Sequence, residues 1–242
     1  QAIKASKNFE LVGIVEKSSK VRELAKNKYK IKNVFSSISE ANVKIKKIDL
    51  AVITTPPLDR YKLICSFKNI KGLIIEKPVS LNINESKKIL NFCKKNKILC
   101  EVNYWRRFVP QFLENNEIFD LVGSLQSCVI YYCGGLKNNG VHLIDFVRFK
   151  YGEISNFSAF NPFPILQKEN INGDFNVPFS GYIKKTPIIG LPVKKNFFRE
   201  NSIELLGTKG KISFQNDGRK LFFNKIRRHG GLTNNFELDY DK

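Results

Sequence analysis

Through the first hundred residues, strand-like and helix-like segments alternate with connections so short that they predict a parallel, doubly wound sheet. Extended apolar runs lie at Phe9–Glu16, Val34–Phe35, Ile48–Ile53, Gly72–Glu76 and Ile98–Val102. Between them, Ser18–Tyr29, Ile38–Val43, Tyr61–Phe67 and Asn84–Asn96 read as helices, the first with Val21, Leu24 and Ala25 at helical spacing. Gln1–Ser6 reads as the end of one more helix. The crossovers should be right-handed. Open α/β sheets place their ligands at the C-terminal ends of the strands, so the residues that close each run are the first candidates for a site.

The texture changes after Asn103. Gly123–Tyr132 alternates as one longer strand and Val141–Phe149 reads as a helix. Strand-like runs follow at Ser155–Phe160, Ser202–Leu206, Lys211–Phe214 and Lys220–Phe223, separated by Gly, Asn and Pro. This pattern predicts two domains. Residues 1–103 form the doubly wound α/β domain, and residues 104–242 form an α+β domain on a mostly antiparallel open sheet. Residues Asn161–Pro192, rich in Asn, Gly and Pro, are expected to carry little regular structure.

A hydrophobic content of 42% with 20 Phe supports a substantial core. No run approaches the roughly 20 apolar residues of a membrane span. The five cysteines, Cys65, Cys93, Cys100, Cys128 and Cys133, are scattered without a C-x-x-C pair. They suggest neither a disulfide framework nor a zinc site, and a reducing cytoplasm is the expected setting. The net charge of +19 raises nucleic-acid binding. The lysines are spread along the chain, however, and no helix-turn-helix, zinc-finger or aromatic RNA-binding pattern accompanies them. A solvated basic surface is the expected reading, with an anionic substrate or cofactor as the alternative ahead of nucleic acid. The absence of methionine, and a start inside a helix, suggest a sequence that is not a complete gene product.

Glu76-Lys77-Pro78 closes the run Gly72–Ile75, which puts a lysine at the lip of a buried strand, where it can hold a substrate oxygen or move a proton. Glu16 ends the Phe9–Glu16 run, the position from which a carboxylate can accept hydrogen bonds from ribose hydroxyls. The usual companion, a G-x-G-x-x-G turn after the first strand, is absent, and the first strand and that turn would lie before Gln1. Thr54-Thr55-Pro56-Pro57 offers two hydroxyls on a proline-fixed ledge at the end of a third run. Asn138-Asn139-Gly140-Val141-His142 opens a helix in which His142 and Asp145, three apart, can share a face. An imidazole there can act as acid or base, with the carboxylate to orient it. His229, among Arg227, Arg228 and Gly230, reads as a surface residue.

Thr54-Thr55-Pro56-Pro57, Glu76-Lys77-Pro78, Arg106-Arg107-Phe108 with Pro110, Gly140-x-His142-x-x-Asp145 and Gly207-Thr208-Lys209-Gly210 occur in this order. Together they resemble the glucose–fructose oxidoreductase / inositol dehydrogenase / rhizopine-catabolism (Gfo/Idh/MocA) oxidoreductases. The resemblance implies a Rossmann domain for NAD or NADP, joined to an α+β domain that supports the substrate and often oligomer contacts. It implies catalysis by Lys77 and His142, and cofactor binding by Glu16, Thr54, Thr55, Pro56, Pro57, Glu76, Lys77 and Pro78. Substrate contacts are expected from Asn103, Tyr104, Arg107, Asn138, Asn139 and Asp145, with no metal. Many members carry an aspartate where this chain has Asn138, a side chain that cannot titrate. The implied activity is hydride transfer to or from a hydroxyl of a sugar, cyclitol or nucleotide-sugar, in a homo-oligomer (a dimer or tetramer) that binds neither nucleic acid nor membrane. A non-catalytic dinucleotide sensor of the same fold is the alternative.

Overall fold

The structure, a computed structural model, describes residues 2–109, 117–160, 174–228 and 236–240. Pro110, His229 and residues 161–173 of the Asn- and Gly-rich stretch lie outside the described residues. The chain divides into two compact units, Gln1–Asn103 and Tyr104–Lys242.

The first unit begins with α1 (Ala2–Ala5) and is built on parallel strands. β1 (Ile14–Val15) pairs with β2 (Val34–Phe35), and β3 (Leu50–Ile53), β4 (Gly72–Ile75) and β5 (Leu99–Val102) form a second ladder in that order. The helices between them are α2 (Ser19–Asn27), α3 (Ile38–Lys44), α4 (Arg60–Cys65) and α5 (Ile83–Lys95). Their starts are written locally. Ser18, Ser37 and Asn82 each accept a backbone N–H of the first turn, from Val21, Glu40 and Asn84, which satisfies donors that a helix cannot pair internally. Ala51, Ile53, Leu73 and Ile75 from the sheet pack with Ile64, Ile89 and Cys93 from the helices. The long first run of the sequence shortens to Ile14–Val15, because among the described residues β1 has one ladder partner two residues long. Val21 and Leu24 stay half exposed and only Ala25 of that helical face is buried.

The second unit carries α6 (Glu117–Leu121), β6 (Leu125–Tyr132), α7 (Val141–Tyr151), β7 (Ile154–Ala159), β8 (Phe179–Ile183) and β9 (Thr186–Pro192). β10 (Ser202–Gly207), β11 (Gly210–Gln215), β12 (Lys220–Arg228) and β13 (Phe236–Leu238) follow. They form one eight-stranded sheet in the order β13-β12-β11-β10-β6-β9-β8-β7, antiparallel except where β6 meets β9. One face buries Cys128, Ile130, Tyr132, Ile188, Ile203, Leu205, Ile212 and Phe214 against Leu143, Phe146 and Val147 of α7.

β8 and β9 overturn the expectation of little structure up to Pro192. The glycines that suggested a loop are packing positions. At Gly190 a Cβ would stand 2.0 Å from the Phe179 ring of the neighbouring strand, so glycine is what allows that ring to lie flat against the sheet. No helix among the described residues is long and apolar enough to cross a membrane.

Candidate functional site

In the first unit, the ends of β3 and β4 are tied together by one buried cation. Arg60, 1% exposed, opens α4 and reaches back under both strand ends. Its Nη1 donates to the Glu76 carbonyl and, at 2.5 Å, to the Pro78 carbonyl, and its Nη2 donates to the Thr55 carbonyl. Burial lowers the Arg60 pKa, and the Glu76 and Glu85 carboxylates oppose the shift. An arginine in the first turn of a helix is disfavoured by the helix dipole. Its place there is explained by the carbonyls it collects from two loops.

The Glu76 side chain is held as well, its Oε1 accepting from Asn103 Nδ2 at 2.5 Å, and its backbone N–H donates to Ile53 at 2.9 Å. Lys77 therefore stands half buried between two fixed neighbours, joined to Pro78 by a cis peptide. Thr54, Thr55 and Pro56 are exposed at the end of β3, with Pro57 half buried beside them. Glu85 braces the next turn. It accepts from Ser80 Oγ at 2.6 Å and from the Tyr61 N–H at 3.1 Å, and these bonds, the hydroxyl first, hold its carboxyl below the usual carboxylate range.

Glu16 follows β1 and its Oε1 accepts the Ser18 N–H at 2.8 Å. Arg22 Nη1 donates to the Glu16 and Lys17 carbonyls at 2.8 and 2.6 Å. The carboxylate thus has one oxygen engaged by its own loop.

In the second unit, Tyr104, Arg107, His142 and Asp145 are gathered. The Tyr104 and His142 rings meet edge to face with centroids 5.8 Å apart. Arg107 grips Asp145 with two bonds, Nε to Oδ2 at 2.7 Å and Nη2 to Oδ1 at 2.5 Å, and Asp145 is buried. The Arg107 guanidinium also lies 5.6 Å from the centre of the Tyr104 ring. Burial, then the Asp145 charge, raises the Tyr104 pKa. The carboxylate that the sequence pattern offered to His142 thus takes a bidentate arginine, the strong form of charge-assisted hydrogen bond.

α7 does not start abruptly at Val141. It continues a wider turn, Leu136–Gly140, that carries Asn138 and Asn139. Asn139 Nδ2 donates to the Cys133 carbonyl at 2.7 Å, so this amide, expected at the substrate, braces its own turn. Asn138 Nδ2 reaches the Gly134 carbonyl at 3.3 Å. The turn is seated on Asp174, which the sequence pattern did not single out. Asp174 is 1% exposed, and its two oxygens accept the Lys137 and Asn138 N–H groups, each at 2.9 Å. Asn176 accepts the Gly135 N–H at 2.9 Å. Gly135 has φ +90°, and a Cβ there would stand 2.0 Å from Asp174 Oδ2, so both conformation and space require glycine.

No group of three or more His, Cys, Asp or Glu side chains suited to a metal ion occurs among the described residues.

Residues 1–104 match the model of the oxidoreductase family with an NAD-binding Rossmann fold. Over 106 residues the chain is 29% identical to scyllo-inositol 2-dehydrogenase (NAD(+)) of Bacillus subtilis, a match covering 43% of this chain and 30% of that enzyme. The chain spans less than two thirds of the length of the curated relatives it matches, 30% and 63% of the two. Two solved structures share the fold over nearly all of the chain. The WlbA dehydrogenase of Bordetella pertussis, crystallised with NADH and UDP-GlcNAcA, superposes with TM-score 0.76 at 16% identity, covering 95% of this chain and 73% of that one. A super-repressor mutant of Gal80p from Saccharomyces cerevisiae superposes with TM-score 0.75 at 16% identity, covering 98% and 72%.

Proposed function

We propose that the chain is part of an NAD(P)-dependent oxidoreductase that moves hydride between a nicotinamide cofactor and a hydroxyl or keto group of a sugar, cyclitol or nucleotide-sugar. The observation that carries this reading is the lip at Glu76-Lys77-Pro78. A lysine stands at the C-terminal end of a parallel strand, and the residues on both sides of it are pinned by Arg60 and Asn103. The match of residues 1–104 to an NAD-binding family supports it. The named activity of the inositol dehydrogenase and the sugar nucleotide held by the WlbA dehydrogenase support the substrate class.

The residues present suit the dinucleotide. Glu16 keeps one carboxylate oxygen beyond its loop bond for ribose hydroxyls, and the Thr54–Pro57 ledge is exposed at the end of β3. When bound, the nicotinamide supplies the hydride donor or acceptor. The protein supplies the proton chemistry. Lys77 is assigned to the reacting oxygen and His142 to acid/base work, with Tyr104 packed edge to face against the imidazole. Arg107 holds Asp145 in place on α7, one turn from His142. Positioned acid/base groups of this kind contribute roughly 10²- to 10⁴-fold.

The test is steady-state reduction of NAD and NADP over a panel of cyclitols, sugars and nucleotide-sugars, with Lys77→Ala beside the wild type. Turnover lost in the variant with dinucleotide binding retained supports the assignment, and undiminished turnover refutes it. A second reading, a non-catalytic dinucleotide sensor, draws on the fold shared with Gal80p. It predicts dinucleotide binding without turnover on any substrate of the panel.

We also propose a homo-oligomer built on the open face of the large sheet. The strand registers place Tyr182, Ile189, Val129, Leu206 and Phe222 on the side opposite the buried core. Of these, Tyr182, Ile189, Leu206 and Phe222 are exposed.

A further inference from the structure

NAD and NADP differ at the 2′ oxygen of the adenosine ribose, a hydroxyl in one and a phosphate of about two negative charges in the other. If the chain is the oxidoreductase proposed above, the choice between them falls to the loop after β1. What matters is whether that loop offers the 2′ position an acceptor or a set of cations and donors.

Glu16 is held there at three points. Its N–H donates to the Phe35 carbonyl at 3.0 Å, its carbonyl accepts from Arg22 Nη1 at 2.8 Å, and its Oε1 accepts the Ser18 N–H at 2.8 Å. Glu16 stands half buried, while Lys17, Ser18 and Lys20 are exposed. A carboxylate fixed in this way accepts from a hydroxyl and repels a phosphate.

A 2′-phosphate needs cations or N–H groups, and the loop uses its own for itself. Arg22 Nη1 also donates to the Lys17 carbonyl at 2.6 Å, so that nitrogen serves the backbone of the loop. The Arg22 charge is answered by Glu40, whose carboxyl is held below its usual range first by bonds from Ser36 and then by this guanidinium. At the start of α2 the Ser18 N–H goes to Glu16, and the Val21 N–H goes to Ser18 Oγ at 3.4 Å. A helix N-terminus favours an anion, and here Glu16 already supplies one. Lys17 and Lys20 remain, and each would lose rotamer freedom on reaching for a phosphate.

We propose that this loop selects NAD over NADP, with Glu16 as the specificity-determining residue and Arg22 as the clamp that holds its backbone and is thereby withheld from phosphate. Glu16 accepts from the ribose hydroxyls of NAD, and the same carboxylate opposes the added phosphate of NADP. The inference rests on the oxidoreductase reading, and its test separates the two.

Calorimetric titration with each dinucleotide measures the preference without turnover. The wild type should bind NAD at least about tenfold more tightly than NADP, the scale of close like charges near a protein surface. Glu16→Gln keeps an oxygen for the Ser18 N–H and removes the charge. It should bind NADP more tightly than the wild type does, with the two affinities converging to within about threefold. Arg22→Ala should weaken both dinucleotides by similar factors, because the guanidinium serves the loop and not the phosphate. Three results would overturn the inference and leave the oxidoreductase reading standing: NADP bound by the wild type as tightly as NAD, an unchanged preference in Glu16→Gln, or a loss confined to NADP in Arg22→Ala. Binding of neither dinucleotide would overturn both.

Discussion

Arg60 and Asp174 do the same job with opposite charge. Each is buried, each gathers backbone groups from a loop that would otherwise end loosely, and each sits behind a candidate catalytic residue rather than beside it. Arg60 takes the carbonyls that frame Lys77, and Asp174 takes the N–H groups that open the turn leading to His142. Because Asp174 is buried with both oxygens on backbone N–H groups, Asp174→Ala should remove two charge-assisted hydrogen bonds and destabilise the protein by on the order of 3 kcal/mol. Urea unfolding measures this, and a change within the ±0.5 kcal/mol of an ordinary surface substitution would show that the turn does not need the carboxylate. Neither residue was legible in the sequence. Lys77 and His142 stand in motifs with local meaning, a strand end and a helix start, whereas Arg60 and Asp174 gain theirs from partners that include carbonyls 16 and 18 positions away and N–H groups 36 and 37 positions away. Asn139 shows the converse. Its place in the motif suggested a substrate contact, and its amide nitrogen also braces its own turn by donating to a carbonyl six residues back.

At the scale of elements, what the sequence reveals depends on how local the stabilising contacts are. α3 is specified almost entirely by its own residues. Ser37 accepts the Glu40 N–H, and Glu40 reaches back to the N–H and hydroxyl of Ser36, so the helix start is closed from both sides. β3 and β4 were legible as short apolar runs because they bury Ala51, Ile53, Leu73 and Ile75 against helices. β8 and β9 were not, since their glycines serve contacts across the sheet and look like breakers in one dimension. The carboxylates that brace these elements make a pH prediction. Backbone and hydroxyl bonds from Ser36 lower the Glu40 pKa, and those from Ser80 and Tyr61 lower that of Glu85. A carboxylate whose folded pKa lies below its unfolded value of about 4.3 stabilises the fold above that pH. The stabilisation is lost as pH falls through the folded pKa. Acid unfolding followed by circular dichroism should therefore begin below about pH 4, and Glu85→Gln should be less stable at neutral pH with a shallower acid transition. An acid transition in Glu85→Gln as steep as that of the wild type would contradict the role given to this carboxylate.

The whole molecule combines a parallel α/β unit with an open, mostly antiparallel sheet, and the two differ in how they meet solvent. The parallel strands β3 and β4 bury one set of side chains against their crossover helices, while the eight-stranded sheet shows one face to the core and leaves exposed aromatic and aliphatic side chains on the other. Glu204, Lys211 and Ser213 bond to one another on the same face, and the exposed apolar side chains around them are the part expected to be covered in solution. Light scattering should give the mass of an oligomer for the wild type and of a monomer for Ile189→Glu, and a monomeric wild type at micromolar concentration would contradict the proposed use of this face. The positive charge of +19 suits an anionic substrate or cofactor, concentrating it by long-range attraction that salt should weaken. The account depends most on Lys77 acting in turnover rather than in holding the dinucleotide. The decisive measurement is the rate of nicotinamide reduction by Lys77→Ala on the best substrate of the wild type, with dinucleotide affinity measured in parallel by calorimetry. A rate reduced by at least a hundredfold, about 2.7 kcal/mol of barrier, with affinity within a few-fold of wild type is the expected result. A rate equal to that of the wild type would contradict the account.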